Sequence, residues 1–191
     1  GMWARQFGEM CDVTIPNQAA EHYYLITEEI PGLDPRWPVV EDPSRCVYVR
    51  PEGKGLLIGF FEWEGAPWNP AEIPQDFSFG ILEPDWDRMA PYLESAMGRL
   101  SPDLQNVGIK TFFCGPESFT PDNAPIVGPA PQIQNYYVAA GLNSVGILTG
   151  GGIGKILAQW IRNNGISPVD VDTSGIHINR FHKHQANQHY R

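Results

Sequence analysis

Short runs of aromatic and β-branched residues, separated by turn-forming residues, divide the chain into predicted strands. Residues 21–27 form one such run, Glu-His-Tyr-Tyr-Leu-Ile-Thr, which is typical of a strand. Two more apolar runs, 46–50 and 56–62, lie on either side of a Pro-Glu-Gly-Lys-Gly segment, and this arrangement predicts a β-hairpin. Further strands are predicted at 109–113 and 136–141.

Other segments have the pattern of helices. Residues 2–11 have helical character. Between 85 and 100, apolar residues recur at spacings of three and four, which predicts an amphipathic helix. A third helix is predicted from Gly154 to Ile161, after a glycine-rich bend that extends from Gly141 to Gly154.

The order of these elements indicates a mixed fold. Helix, antiparallel strands, helix, strand, strand and helix follow one another, which favours an α+β or α/β architecture with a middle sheet separable from the two ends. The proline-rich segments 31–43 and 63–84 are expected to be connecting loops.

Composition and charge exclude several classes of function. The chain has 13 basic and 22 acidic side chains, a net charge of −9, so the basic footprint of a nucleic-acid-binding protein is absent. No apolar run approaches the roughly 20 residues that cross a bilayer. The 3 cysteines lack CxxC spacing, which favours a reducing compartment over a disulfide framework.

The two ends of the sequence suggest a piece of a longer protein. The first residues, Gly1-Met2-Trp3-Ala4-Arg5, read as a helix already under way, and the polar segment 182–191 stops abruptly. We therefore expect an internal fragment.

The glycine-rich bend offers free backbone N–H groups near a helix start, which suit an anion or a polarised carbonyl. It does not match a phosphate loop, because Gly154-Lys155 lacks a following Ser or Thr, and it does not match GxGxxG. Tight turns and close helix packing are the alternative explanation of its glycines.

Three polar side chains of the predicted middle sheet are candidates for chemistry. His22 lies within an aromatic strand, and Tyr48 and Arg50 alternate along the next strand, so both can face one side. A tyrosine hydroxyl and a guanidinium on one face can orient a carboxylate. The alternative is that these are ordinary structural residues of a half-exposed strand.

Two other features carry weaker signals. Cys114 is interpreted by default as a buried, inert thiol. A group of histidines near the C-terminus has no neighbouring cysteine or carboxylate to complete a metal site, and we assign no metal to it; its members are His177, His182, His184 and His189.

Taken together, these residues resemble the flavin-dependent amine oxidoreductases of the dimethylglycine and sarcosine dehydrogenase type. The resemblance covers nearly the whole chain, with the motifs in the expected order. The segments that carry it are 1–5, 22–27, 48–50, 55–59, 115–122, 125–128, 141–154, Trp160 and 178–182.

This resemblance implies an α+β fold in which an antiparallel or mixed substrate-binding sheet is flanked by pieces of a Rossmann-like FAD-binding domain. The implied domains are a partial FAD-domain helix at 1–12, the substrate-binding sheet at 13–110, the C-terminal part of the FAD domain at 111–165, and a linker towards a further module at 166–191.

The resemblance also implies a reaction and its participants. FAD takes a hydride from the N-methyl carbon of a small N-methyl amino acid such as dimethylglycine or sarcosine. An electron-transfer flavoprotein is a candidate partner, and tetrahydrofolate a candidate cofactor in the longer parent alone. The bacterial cytoplasm or the mitochondrial matrix is the implied location, without nucleic-acid or membrane partners.

By the same resemblance, His22 and Tyr48 are the implied catalytic residues, and Arg50 is our candidate for binding the substrate. The stretch that lies against the flavin ring corresponds to Asn143, Ser144, Val145, Gly146, Ile147 and Leu148. Cys114 corresponds to the cysteine that holds flavin covalently in related monomeric sarcosine oxidases, whereas Leu148 replaces the lysine of those oxidases.

The family's ADP-binding glycine motif does not occur in these residues, so we expect the isolated chain to be inactive and to hold FAD poorly. A regulatory subunit of pyruvate dehydrogenase phosphatase has the same architecture without being an enzyme, and it is the main alternative. An autonomous amino-acid-binding module is a third.

Overall fold

The computed structural model describes residues 1–69, 71–167 and 170–187. In these ranges it contains three α-helices and seven β-strands. The helices are α1 (Ala4–Glu9), α2 (Trp86–Met97) and α3 (Gly146–Arg162). The strands are β1 (Gln18–Thr27), β2 (Val40–Asp42), β3 (Val47–Glu52), β4 (Gly55–Phe60), β5 (Ile109–Phe119), β6 (Ile126–Pro129) and β7 (Tyr137–Ala140).

Five of the strands form one sheet in the order β2-β3-β4-β1-β5. The pairs β2–β3, β3–β4 and β4–β1 are antiparallel. The mixed helix-and-strand content and this antiparallel sheet confirm the predicted α+β class. The predicted hairpin is also confirmed, but its turn is Gly53-Lys54 alone, with Gly53 in the left-handed region at φ 59°.

The chain divides into two compact units, which we call the terminal unit and the sheet unit. The described part of the terminal unit comprises residues 1–20, 67–69, 71–77, 117–167 and 170–187. The sheet unit comprises residues 21–66 and 78–116. The assignment of a substrate-binding and a flavin-binding role to parts of the chain stays a prediction.

The core of the sheet unit lies on one face of the sheet, against α2. Strand alternation sends every second side chain to this face, and α2 adds its own buried positions. Asp85 caps α2 by accepting a hydrogen bond of 2.9 Å from the Arg88 N–H. The fully or nearly fully buried members of this core include Tyr23, Leu25, Val47, Ile58, Phe60, Met89, Ala96 and Cys114.

The terminal unit has its own core around the antiparallel pair β6–β7. Trp160 of α3 is fully buried. The buried residues of the hydrophobic cluster come from the start of the chain, from β6, β7 and the segment between them, and from the C-terminal segment; they are Val13, Ile15, Ile126, Ala130, Val138, Ala140, Ile178 and Phe181.

The glycine-rich stretch is helical for most of its length, which corrects the prediction of a bend up to Gly154. Helix α3 begins at Gly146, eight residues earlier than predicted. Each glycine costs a helix interior about 1 kcal/mol relative to alanine, so the local sequence argues against a helix here. Tertiary contacts override that local preference, and one of them is made by the fully buried Trp160 side chain, whose ring lies 5.4 Å from that of His177.

Strand β5 also differs from expectation. It continues through Gly115-Pro116 to Phe119, where the sequence predicted a turn-rich segment after residue 113. Because β5 is an edge strand, a proline can occupy it without breaking a ladder on both sides. Strand β2, which lies at the opposite edge, was not predicted at all.

No helix in the described ranges is long and apolar enough to cross a membrane.

Candidate active-site residues

The face of the sheet opposite the α2 core carries the predicted catalytic residues, and we call it the aromatic face. Tyr23 and Leu25 of β1 point into the core, so His22 and Tyr24 lie on the other side. The same alternation in β3 places Tyr48 on the aromatic face, since its neighbour Val47 is buried in the core.

A phenylalanine ring brings His22 and Tyr48 to one place on the aromatic face. The Phe61 ring centroid lies 5.8 Å from that of His22 and 5.6 Å from that of Tyr48. A second aromatic pair lies on the same face, where the rings of Tyr24 and Phe113 stack at 4.7 Å. The structure therefore places both predicted catalytic side chains beside the same apolar ring, although 26 positions separate them in sequence.

Gly59 makes room for the Tyr48 ring. It is the register partner of Tyr48 in the β3–β4 pair. A Cβ atom at Gly59 would stand 2.0 Å from Tyr48 Cζ and 2.3 Å from its hydroxyl oxygen. The phenol therefore lies across the backbone of β4. Sequence reasoning missed Gly59, although a glycine inside a strand signals a close approach.

A buried carboxylate, which sequence reasoning also missed, contacts His22. Glu62 Oε2 lies 3.1 Å from His22 Nδ1, and the side chains are 4% and 15% exposed respectively. The second oxygen, Glu62 Oε1, has no hydrogen-bond partner among the described residues. The sequence offered one signal for Glu62, since an acidic residue directly follows the apolar residues 56–61.

Arg50, the predicted substrate-binding residue, forms an ion pair with Glu52, and its side chain is 40% exposed. Its Nη1 also donates to the Pro51 carbonyl at 3.1 Å. A substrate carboxylate would therefore have to compete with Glu52 for the guanidinium.

The predicted flavin-facing residues lie in the terminal unit, where the chain turns into α3. Asn143 and Ser144 are both in the left-handed region, at φ 48° and 66°. The Thr120 N–H donates to Asn143 Oδ1 at 2.8 Å, and the Ser144 hydroxyl donates to the Glu117 carboxylate. The end of β5 thus holds this turn in a backbone conformation that costs non-glycine residues free energy.

The start of α3 presents a bare, apolar surface within the terminal unit. Ile147 and Leu148 are 104% and 83% exposed. A Cβ atom placed on any of the next four glycines would meet no atom within 4 Å; these are Gly150, Gly151, Gly152 and Gly154. The first N–H groups of a helix lack partners inside it, so this end combines hydrogen-bond donors with apolar contact area. These features fit a flat, aromatic group that accepts negative charge, such as the flavin ring.

Cys114 does not fit the role of a flavin attachment site. It is fully buried in the sheet-unit core, and burial raises the pKa of its thiol above the ordinary range. A buried thiol with a raised pKa is a poor nucleophile. The default interpretation, an inert core cysteine, describes it better.

Next to Cys114, the core contains a polar network that ties α2 to β1. The Tyr23 hydroxyl donates to Glu21 at 2.7 Å and accepts from the Asp85 N–H at 3.2 Å. Arg88 donates to the same Glu21 carboxylate at 2.8 Å. Desolvation by burial raises the pKa of Tyr23. These contacts lie within the sheet unit, and a structural role accounts for them, although Arg88 Nε has no hydrogen-bond partner among the described residues.

Three of the C-terminal histidines, His177, His182 and His184, lie in the described ranges. Throughout the described ranges, no group of three or more His, Cys, Asp or Glu side chains could hold a metal ion. His177 instead accepts a hydrogen bond of 3.0 Å from the Asn179 N–H, and burial lowers its pKa. His189 lies outside the described residues.

Comparison with known proteins identifies relatives along the whole chain. Human (Homo sapiens) mitochondrial sarcosine dehydrogenase is 38% identical over 191 residues, which are 100% of this chain and 20% of that protein. The 4-methylaminobutanoate oxidase (formaldehyde-forming) of Paenarthrobacter nicotinovorans is 39% identical over 190 residues, 100% of this chain and 22% of the oxidase. The mitochondrial regulatory subunit of mouse (Mus musculus) pyruvate dehydrogenase phosphatase is 37% identical over 165 residues, 84% of this chain and 18% of the subunit.

Solved structures show the same fold. The crystal structure of glycine oxidase from Geobacillus kaustophilus superposes with a TM-score of 0.70 at 20% sequence identity, covering 95% of this chain and 44% of that chain. The present chain spans about a fifth of the length of these three curated relatives, 20%, 22% and 18% respectively. A family model described as FAD dependent oxidoreductase (DAO) matches residues 1–160, and the chain therefore belongs to this family of FAD-dependent oxidoreductases.

Proposed function

We propose that this chain is part of a flavin-dependent oxidoreductase that oxidises an N-methylated glycine, either sarcosine or dimethylglycine. The family membership and the similarity to sarcosine dehydrogenase support the reaction class. The observation that carries the proposal is the convergence of His22 and Tyr48 on Phe61, because it gives an amine substrate a base, a hydroxyl and an apolar wall in one place.

His22 and Tyr48 have distinct roles in this proposal. An amine loses a hydride from its methyl carbon with the help of the nitrogen lone pair, so the ammonium form must first lose a proton. His22 accepts that proton as the general base. The Tyr48 hydroxyl orients the amine, and Arg50 pairs with the substrate carboxylate in place of Glu52.

The turn before α3 holds the cofactor. FAD, when bound, supplies the hydride acceptor of the reaction. Asn143 and Ser144 fix the backbone there, and the N–H groups at Gly146–Leu148 stabilise negative charge on the group that they face. The exposed side chains of Ile147 and Leu148 provide apolar contact for a flat ring.

Flavin absorbance tests the proposal. The full-length protein that contains this chain is mixed with substrate in the absence of oxygen, and the flavin band near 450 nm is followed. We expect sarcosine or dimethylglycine to bleach the band. Glycine betaine serves as the matched control, because its quaternary nitrogen has no lone pair. A flavin band that neither sarcosine nor dimethylglycine bleaches would contradict the proposal.

The second candidate is a non-enzymatic regulatory subunit. The 37% identity to the pyruvate dehydrogenase phosphatase regulatory subunit favours it, since that similarity covers 84% of this chain. This candidate predicts that no N-methyl amine bleaches the flavin band and that the protein co-purifies with a phosphatase catalytic subunit. The same absorbance experiment therefore separates the two.

Partners and location follow from the first proposal. We propose an electron-transfer flavoprotein as the electron acceptor, and tetrahydrofolate as a cofactor of the longer protein alone. We place the protein in the bacterial cytoplasm or the mitochondrial matrix, a location supported by the mitochondrial sarcosine dehydrogenase among its relatives.

A further inference from the structure

We infer that Glu62 is the positioning residue of His22: its carboxylate fixes the tautomer of the imidazole and stabilises the ring when it takes a proton. The inference rests on the proposed function for the role of His22. Its own basis is the contact of 3.1 Å between Glu62 Oε2 and His22 Nδ1. No sequence pattern assigned a role to Glu62.

The burial of this pair separates it from an ordinary surface ion pair. The Glu62 side chain is 4% exposed and that of His22 is 15% exposed. A surface pair contributes about 0–1 kcal/mol because water and salt screen it. A buried carboxylate is costly unless it has hydrogen-bond donors, and Glu62 Oε1 has none among the described residues. The sheet unit therefore keeps a carboxylate beside His22 at a free-energy cost.

The chemistry of the two groups determines the tautomer. An ionised carboxylate accepts hydrogen bonds and cannot donate one, so the His22 nitrogen that faces it, Nδ1, must carry the proton. A neutral imidazole with its proton on Nδ1 presents Nε2 as the basic nitrogen. Glu62 thus selects the nitrogen that can receive a substrate proton.

The proton balance of the step is simple. The N–H bond of the substrate ammonium breaks, and its electron pair stays on the amine nitrogen. An N–H bond forms at His22 Nε2, and the ring becomes a cation. The Glu62 carboxylate stabilises that cation through Nδ1, as the carboxylate of a Ser-His-Asp triad does for its histidine.

The backbone beside Glu62 has an anchor of its own. The Phe61 N–H donates to the Cys46 carbonyl at 2.9 Å, so the chain after β4 is already tied to the strand beside it. A backbone hydrogen bond therefore anchors this segment in addition to the contact between Glu62 and His22.

A double-mutant cycle in the full-length flavoprotein tests the inference. We expect Glu62→Gln to lower kcat/KM for sarcosine by about 10- to 100-fold, part of the 10²- to 10⁴-fold that a positioned base contributes. In a His22→Ala background the same change should cost less than about 2-fold, because the group that Glu62 positions is gone. Glu64→Gln, two residues along on an exposed side chain, is the control and should leave kcat/KM within about 2-fold of the parent protein in both backgrounds.

Each outcome decides between the possibilities. An equal loss from Glu62→Gln with and without His22 would mean that Glu62 is merely structural, and it would overturn the inference. If His22→Ala leaves turnover unchanged, the proposed role of His22 fails first and the inference fails with it. Should Glu62→Gln not fold, as judged by thermal denaturation, Glu62→Asp replaces it in the cycle. Glu62→Asp keeps the carboxylate but shortens the side chain by one methylene. The decrease in kcat/KM that it causes must likewise disappear in the His22→Ala background.

Discussion

At the scale of single residues, the position of the Tyr48 ring depends on the missing side chain of Gly59. Because Gly59 has no Cβ, the phenol lies flat across the β4 backbone instead of standing away from it. A methyl group there would have to displace either the ring or the strand, and both belong to the sheet that carries the proposed site.

We therefore predict that Gly59→Ala damages both stability and activity. Overpacking of this kind costs about 1–3 kcal/mol of unfolding free energy. A displaced Tyr48 hydroxyl should lower kcat/KM for an N-methylated glycine by about 10- to 100-fold, since misplacement by about 1 Å can cost 10²-fold. Denaturant unfolding and steady-state kinetics measure the two effects.

Gly115→Ala is the matched control for this variant. Gly115 is also a strand residue of the sheet unit, and a Cβ there would meet no atom within 4 Å. Its substitution should leave kcat/KM unchanged. If Gly59→Ala and Gly115→Ala change kcat/KM to the same extent, the contact between Gly59 and Tyr48 does not position the phenol.

How far the site could be predicted from sequence also depends on single residues. His22 and Tyr48 were predicted from a family pattern, and strand alternation correctly placed Tyr48 and Arg50 on one face. Glu62 could not be found in this way, because its contact with His22 depends on the pairing of β1 with β4, which no local pattern encodes. Arg50 illustrates the converse, since the strand pattern that made it a candidate for binding a carboxylate did not reveal its ion pair with Glu52.

At the scale of elements, helix α3 is where local propensity and structure disagree most. The glycines predicted a bend up to Gly154, yet the helix begins at Gly146. Periodic apolar patterns were read correctly in the hairpin and in α2, where the local preference and the tertiary contacts agree. In α3 the local preference and the tertiary contacts conflict, and the tertiary contacts, which include the buried Trp160 side chain, win.

We predict that Gly151→Ala stabilises the chain by about 0.5–1 kcal/mol, the usual difference between the two residues inside a helix. Gly151 is exposed and a Cβ there has no neighbour within 4 Å. By contrast, Gly141→Ala should destabilise the chain, because Gly141 has φ 61° and its Cβ would stand 2.3 Å from Thr120 Cγ2. Urea unfolding of both variants tests the helix assignment, and a loss of stability in Gly151→Ala would contradict it.

At the scale of the whole molecule, the family was predicted from the order of motifs along the chain, and the family match over residues 1–160 confirms it. The division into two units could not be derived in the same way. The terminal unit combines residues from both ends of the chain with a separate segment, 67–69 and 71–77 in the described ranges. The order of motifs along the sequence does not show that this segment belongs with the two ends.

We predict that the purified 191-residue chain retains less than one FAD per molecule. We propose that the turn before α3 contacts the ring of the cofactor, whereas the GxGxxG motif that binds the ADP half in dinucleotide-binding folds does not occur in this sequence. The ratio of absorbance at about 450 nm to that at about 280 nm gives the stoichiometry, with the full-length protein as reference. Stoichiometric, tightly bound FAD in the isolated chain would contradict the prediction.

The two-residue turn between β3 and β4 has an evolutionary consequence. Side chains in a strand alternate between faces with a period of two, so a slip of β4 by one residue against β3 would send Gly59 to the core and Ile58 to the aromatic face. Lineages can therefore change the length of this hairpin and keep Tyr48 above a glycine only where the loop takes up the change and the pairing of β3 with β4 is kept.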